Sequence, residues 1–248
     1  MIITIGAFLN AFGILIGAIF GLALPKPLSI RAQIFFRNAL GAFTIFFGLR
    51  LVWLSISGTF FQCLKQIVVA LLAVVLGNWI GKLLRLQKIS NQLGRSAANS
   101  IASAQKNSSG KTGDGFNACT ILFCAAPLGL LGAVTDGLSG YFYLLALKAA
   151  MDGLAMMSFV KIFRWPSALS AVPVFVLLSA VTIACRLFAA PFLDSHSLHG
   201  HDLLDSVNAA GGFIACAVAL VIFEVRKVEL ANFLPCLIVA PLLAKLLM

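Results

Sequence analysis

Charge is scarce in this sequence, and acid is scarcer still. Of 248 residues only 10% are charged, and eight are Asp or Glu. A soluble domain carries about 25% charged residues, because surface facing water has to be polar. A soluble fold is therefore excluded. A nucleic-acid-binding module goes with it, in spite of a formal net charge of +10. The chain also lacks H-E-x-x-H, Gly-x-Gly-Asp, C-x-x-C and any Ser-His pair at membrane depth. No enzyme class is indicated, although an aspartyl mechanism would need only two carboxyls in one site.

What fills the sequence instead is apolar: 61% hydrophobic residues, with 21 Phe and 21 Gly, and a mean hydropathy of +1.04. A membrane helix needs about 20 such residues. Eight spans are read, at roughly 2–24, 34–54, 62–81, 116–139, 141–163, 168–190, 205–224 and 229–247. The prediction is an all-α, polytopic integral membrane protein in one transmembrane domain, with the lipid bilayer as its partner. Met1–Leu24 has no basic start and is too long and Gly-patterned for a signal peptide.

The polar stretch 82–115 carries Lys82, Arg85, Lys88, Arg95, Lys106 and Lys111 against one acid, Asp114. Short basic loops stay cytoplasmic, which sets the third span to end inside. Alternation then puts Lys26, Arg31, Lys161, Arg164, Arg226 and Lys227 inside, for twelve basic residues. Only four, Arg50, Lys65, Arg186 and Lys245, fall outside, with Arg37 and Lys148 uncounted within spans. A bacterial inner membrane protein with both termini outside is expected. The Ser/Asn/Gly-rich part of the stretch, Asn99 to Gly115, reads as a flexible cytoplasmic linker.

Several tempting features lead to no cofactor. Ser109-Gly110-Lys111-Thr112 resembles the tail of a phosphate loop, but the glycine required five residues earlier is Gln105. Cys63, Cys119, Cys124, Cys185, Cys216 and Cys236 lie in or at the ends of spans and read as small apolar residues. His196, His199 and His201, beside Asp194, Asp202 and Asp205, could bind Zn²⁺ or Cu²⁺. The irregular spacing favours a solvated loop, and no metal is assigned.

Two patterns concern architecture. Gly13, Gly17 and Gly21 form overlapping G-x-x-x-G steps on one helix face. That face suits either a neighbouring helix of the chain or a homodimer seam. Second, an offset of 170 lays Asn38-Ala39-Leu40-Gly41-Ala42-Phe43 over Asn208-Ala209-Ala210-Gly211-Gly212-Phe213. The same offset pairs Leu64 with Leu234, Val69 with Val239, Ala70 with Ala240 and Leu72 with Leu242. Repeats 1–81 and 168–247 would then flank linker 82–115 and the central spans, 116–163. Five crossings separate equivalent spans, so the repeat would be inverted, an architecture common among secondary transporters. Asn38 and Asn208 would face each other across its pseudo-two-fold axis.

Charges inside spans are costly and mark function by default. The fourth and fifth spans hold Asp136, Lys148 and Asp152. Lys148 and Asp152, four apart, share a helix face. With a short turn between the spans, Asp136 is expected only about 6 Å from the depth of Lys148, so an Asp–Lys–Asp cluster is plausible. Pro127 breaks the fourth span and frees a carbonyl near Phe123. Gly129, Gly132 and Gly137 follow the break, and Asn117, Thr120 and Cys124 line a weakly polar stripe below it. Asn10, Asn38, Asn78, Asn208 and Asn232 add amides, each suited to interhelical hydrogen bonding.

Leu122-Phe123-Cys124, the run Gly132 to Gly140, and Lys148 with Met151-Asp152-Gly153 resemble the core signature of the domain-of-unknown-function 554 family of bacterial membrane proteins. Ser170-Ala171-Val172-Pro173-Val174-Phe175, Ala210-Gly211-Gly212, Asn232-Phe233-Leu234-Pro235 and Gly77-Asn78-Trp79-Ile80-Gly81 are similar to its other motifs. Where that family has Tyr-Gln-Gly after the Phe, this chain has Val176-Leu177-Leu178. The resemblance implies a multi-span inner membrane protein and no particular activity. The residues themselves point to a small secondary transporter or ion-coupled permease for an unknown small solute. Asp136, Lys148, Asp152, Asn38, Asn208, Asn117, Pro127 and Gly137 are its candidate site. The alternative is a non-transporting membrane scaffold or regulatory subunit with a structural ion cluster.

Overall fold

The computed structural model describes residues 4–24, 28–106, 112–194 and 198–247. The described residues form helices and no strand. These are α1 (Ile5–Ala23), α2 (Ile30–Leu54), α3 (Phe60–Leu83), α4 (Leu86–Lys106), α5 (Thr112–Cys124), α6 (Pro127–Ser139), α7 (Tyr143–Phe163), α8 (Ala171–Asp194), α9 (Leu198–Ile222) and α10 (Cys236–Leu247). Short 3-10 turns, Trp165–Ser170 and Leu230–Phe233, precede α8 and α10. The chain is an all-α polytopic membrane protein. Seven helices are long and apolar enough to cross a bilayer, and α5 with α6, bent by 57°, pass the same test as a pair, for up to eight.

Local sequence sets the helix ends. Ser29 accepts from Ala32 N at the start of α2, and Thr59 with Gln62 forms a capping box on α3. Pro127 opens α6, where its missing N–H costs nothing, and Gly140 closes it at φ 71°. The bundle surface is apolar rather than charged: Phe8, Phe35, Trp53, Phe60, Phe61 and Trp79 all point outward. In water such a surface would drive association; in lipid it is the solvated state.

Close contacts at glycines give the direction of each helix. Gly13 meets Ala149, Gly17 meets Gly153 and Gly21 meets Met157 and Val160, so α1 and α7 run parallel. Gly41 meets Phe223 while Gly48 and Val52 meet Gly212, so α2 and α9 are antiparallel. Gly77 on Cys236 and Gly81 on Asn232 make α3 and α10 antiparallel as well. The glycine stripe of α1 is thus covered by α7 of the same chain. Of the two uses read for Gly13, Gly17 and Gly21, the structure places them against a neighbouring helix of the same chain, with α7 main chain filling the space over them.

The same contacts trace the broken span. Gly115 packs on Phe163, Gly129 on Lys148 and Gly132 on Leu145, while Gly137 packs on Thr182 and Cys185 of α8. α5 and α6 together therefore climb the full length of α7, from its last residues to its first. That path is the one a broken span takes.

One expectation needs correction. Stretch 82–115 reads in the sequence as a linker, flexible from Asn99 to Gly115, yet Leu86–Lys106 form α4, which runs into the part read as flexible. Ile89, Leu93, Ala97 and Ile101 recur every fourth residue on one helical stripe, of which Ile89 and Leu93 stay exposed. Ala97 is fully buried, and Ile101 packs on the α1–α5–α7–α8 core. Gln87 fastens the helix: its N donates to Asn232 Oδ1 at 3.0 Å, and its Oε1 accepts from Ala231 N at 3.2 Å. Polar composition identified the exposed face; tertiary packing ordered the helix. The phosphate-loop fragment Ser109-Gly110-Lys111 lies outside the described residues. So does His196, and the side chains of His199 and His201 are likewise not described.

Candidate functional site

The site is built on α7 and closed by α1. Lys148 and Asp152 are one turn apart on α7 and form an ion pair. Lys148 is the largest fully buried side chain, at 1% exposure. Its stem runs against Gly129, just inside α6, and its ammonium lies 5.8 Å from the centre of the Phe123 ring at the end of α5. The buried lysine therefore spans the break in the fourth crossing. A lone buried charge would cost several kcal/mol, roughly 3–5, so the pair stands only because both members are present.

Asp152 has a second partner. Asn10 on α1 donates from Nδ2 to Asp152 Oδ2 at 3.0 Å, and Asn10 is wholly buried. Lys148 Nζ bonds to the same Oδ2. Asn10 Oδ1 has no hydrogen-bond partner.

Asp136 does not join this group, and the three-membered cluster expected from the sequence does not form. Asp136 Oδ2 instead accepts from Gly6 N in the first turn of α1, at 3.2 Å. A carboxylate at a helix N-terminus meets unpaired N–H groups and the positive end of the helix dipole, which partly offsets its charge. The separation is one of depth. Lys148 reaches down to Gly129, seven residues of α6 before Asp136, which is about 10 Å along the axis. Both aspartates are thus held by α1, at Gly6 and Asn10, and by separate contacts.

The other candidates scatter. Pro127 begins α6 at the break, and Gly137 lets α8 approach α6. Leu178, from the apolar triplet Val176-Leu177-Leu178, seals against Gly129. Asn117 is exposed on α5. Asn208 is buried with Oδ1 at 3.4 Å from Ser139 Oγ. Asn38 is exposed, beyond the level where Gly41 meets Phe223. Asn38 and Asn208 therefore do not face each other. They lie near opposite ends of the α2–α9 contact, on the order of 20 Å apart along the axes.

Sequence reasoning named Asn10 only as one amide among five and Phe123 only for its carbonyl and motif, and it gave Gly6 no place in the site. A signal for the first two was present. Gly6, Asn10, Gly13, Gly17 and Gly21 recur at spacings of three and four and so form one stripe. An Asn inside a glycine seam faces the helix that the seam packs against. Four cavities of about 370, 480, 520 and 290 Å³ are lined by none of Asn10, Asp136, Lys148 or Asp152. The ion pair is closed off from them.

Comparison with known proteins identifies the family. Residues 5–245 match the family described as "Protein of unknown function (DUF554)", and the chain belongs to it. It is 25% identical over 238 residues to "Uncharacterized protein YqgA" of Escherichia coli (strain K12), covering 96% of this chain and 94% of that one. It is 21% identical over 236 residues to "Uncharacterized membrane protein YdfK" of Bacillus subtilis (strain 168), covering 95% and 93%. No solved structure matches it.

Proposed function

We propose that this protein is a small secondary transporter, an ion-coupled permease for a small solute, and not an enzyme. One observation carries the reading: a paired Lys148 and Asp152 lie buried at the break between α5 and α6. Pro127 has no N–H to give the carbonyl one turn earlier, at Phe123, so polar backbone is free at the depth of the buried charges. Broken helices at membrane depth persist where they are buried or line a cavity. In transporters such half-helix ends hold substrate and coupling ion. The antiparallel α2–α9 and α3–α10 pairs run as an inverted repeat requires. The closure of the pair then corresponds to an occluded form. The basic end of the bundle, with Lys82, Lys161 and Arg226, faces the cytoplasm of a bacterial cell.

The closure also favours a second reading. A buried Lys148–Asp152 ion pair suits a scaffold in which the charges only clamp helices together. Reconstitution into proteoliposomes separates the two. Asp152→Asn should keep its fold and membrane level yet lose proton- or cation-dependent uptake. If a doubly apolar variant, Lys148→Met with Asp152→Leu, retains full activity, transport through this pair is ruled out and the clamp remains.

A further inference from the structure

We propose that a basic cavity between the ends of α3 and α9 binds the phosphodiester headgroup of an anionic phospholipid. This goes beyond the transport reading and does not rest on it. The cavity measures about 520 Å³. Asn78 and Lys82 of α3 line it, one turn apart and so on one helix face. Leu220 near the end of α9 lines it too, with Arg226, Lys227 and Glu229 from the segment that follows. Three cations thus meet one acid. Glu229 is already engaged, since its Oε2 accepts from Asn232 Nδ2 at 2.7 Å, and Glu224, just before the cations, is paired with Arg37. Among the described residues the side chains of Lys82, Arg226 and Lys227 have no hydrogen bond and no ion pair.

These cations are not spent on the helix ends beside them. At the end of α9, Val225 N closes on Leu220 O at 3.1 Å and Glu224 N on Val221 O at 3.0 Å. At the end of α3, Leu84 N closes on Ile80 O at 2.9 Å and Arg85 N on Lys82 O at 3.1 Å. Lys161 of α7, by contrast, does bond a helix-end carbonyl, Leu24 O at 3.0 Å. Asn78 is unengaged as well: its Oδ1 is buried and unpaired, and its Nδ2 has no hydrogen bond among the described residues. The cavity wall therefore keeps an amide donor beside a guanidinium and two ammonium groups, the donor set that phosphate oxygens take. A cleft lined by one sign of charge concentrates its field on an ion of the other sign. The surroundings choose between a lipid and a free phosphate. Trp79, Leu83, Leu220 and Val225 are all exposed around the same helix ends. A Trp there marks the headgroup level of a bilayer. Apolar surface at that level gives acyl chains a place to lie, which a soluble anion would not use. Basic pockets between membrane helices hold lipid headgroups in this way.

The test uses the purified full chain in detergent, with thermal midpoints read in added phosphatidylglycerol against phosphatidylcholine of the same chain length. Phosphatidylglycerol should raise the midpoint and phosphatidylcholine should not. Apparent affinity for phosphatidylglycerol should fall about fivefold in Lys82→Gln and about thirtyfold in Arg226→Gln combined with Lys227→Gln, one equal increment per cation. All three side chains are exposed, so these variants keep the fold. Arg95→Gln, which removes an exposed cation of α4 outside the cavity, should leave the affinity unchanged. Equal midpoints in the two lipids mean no headgroup is selected and overturn the proposal. An equal loss of affinity in Arg95→Gln means diffuse attraction to a basic surface and overturns the cavity. Inorganic phosphate that raises the midpoint as far as phosphatidylglycerol, at equal ionic strength, replaces the lipid with a soluble anion and overturns it too.

Discussion

Asn10 Nδ2 donates to Asp152 Oδ2 at 3.0 Å, joining the first helix of the chain to a position 142 residues later. The contact is possible because α1 and α7 touch backbone to backbone along Gly13, Gly17 and Gly153. A one-turn slip of α1 would break this bond and the Gly6–Asp136 bond together. The small-residue seam and the two polar contacts therefore fix a single register, and α1 is the element whose movement would expose the buried charges.

The seam gives the first prediction. Any side chain at Gly17 runs into Gly153 main chain, which cannot move aside. Gly17→Leu should therefore lower stability by at least the overpacking range, roughly 1–3 kcal/mol, and abolish whatever activity the wild type shows. Gly94, in the middle of α4, is the control, since a methyl group there would meet no neighbour within 4 Å. Gly94→Ala should be neutral or raise stability by about 0.5–1 kcal/mol. Thermal midpoints in detergent read both.

The ion pair gives the second. Lys148→Met or Asp152→Leu alone strands one buried charge and should cost about 3–5 kcal/mol. The two together should recover most of that loss, because an apolar pair of similar size replaces the whole bridge. A double variant no more stable than either single one would show that the pair is not energetically coupled. Urea or thermal unfolding of all four proteins completes the cycle.

Topology is the third. In a background with the six native cysteines replaced, Ser100→Cys should react only from the cytoplasmic side. Ser57→Cys and Ser139→Cys should react with an impermeant thiol reagent from outside. Ser139 is the critical position, since it ends the broken span. Labelling of Ser139→Cys and Ser100→Cys from one side would sink the eight-crossing arrangement. Ser197, the natural reporter for the outer loop, lies outside the described residues.

The inverted repeat is the fourth. Superposing α2 and α3 on α9 and α10 should bring Asn38 onto Asn208 by a half-turn about an axis in the membrane plane. Their opposite depths along the α2–α9 contact are what that rotation demands. Failure of the four helices to superpose would reduce the matches at offset 170 to shared apolar composition.

Composition by itself determined that this chain lives in lipid, because too little charge remains for a wet surface. Hydrophobic run length marked the helices able to cross a bilayer. Pro127 and its glycines marked the broken crossing, since a missing N–H cannot be repaired by packing. The spacing of Lys148 and Asp152 likewise determined their pairing, because residues four apart on a helix are neighbours wherever the helix lies. Only the tertiary structure decided the rest. It sent Asp136 to Gly6 instead of Lys148, because side-chain reach depends on how deeply two helices overlap, and a turn in the sequence does not specify that depth. It brought Asn10 to Asp152 across 142 residues and packed the glycine stripe of α1 on α7. It also ordered α4, whose polar composition describes only the face turned to water. Contacts within one helix follow from periodicity; contacts between helices follow from register, which this bundle fixes only where backbones meet.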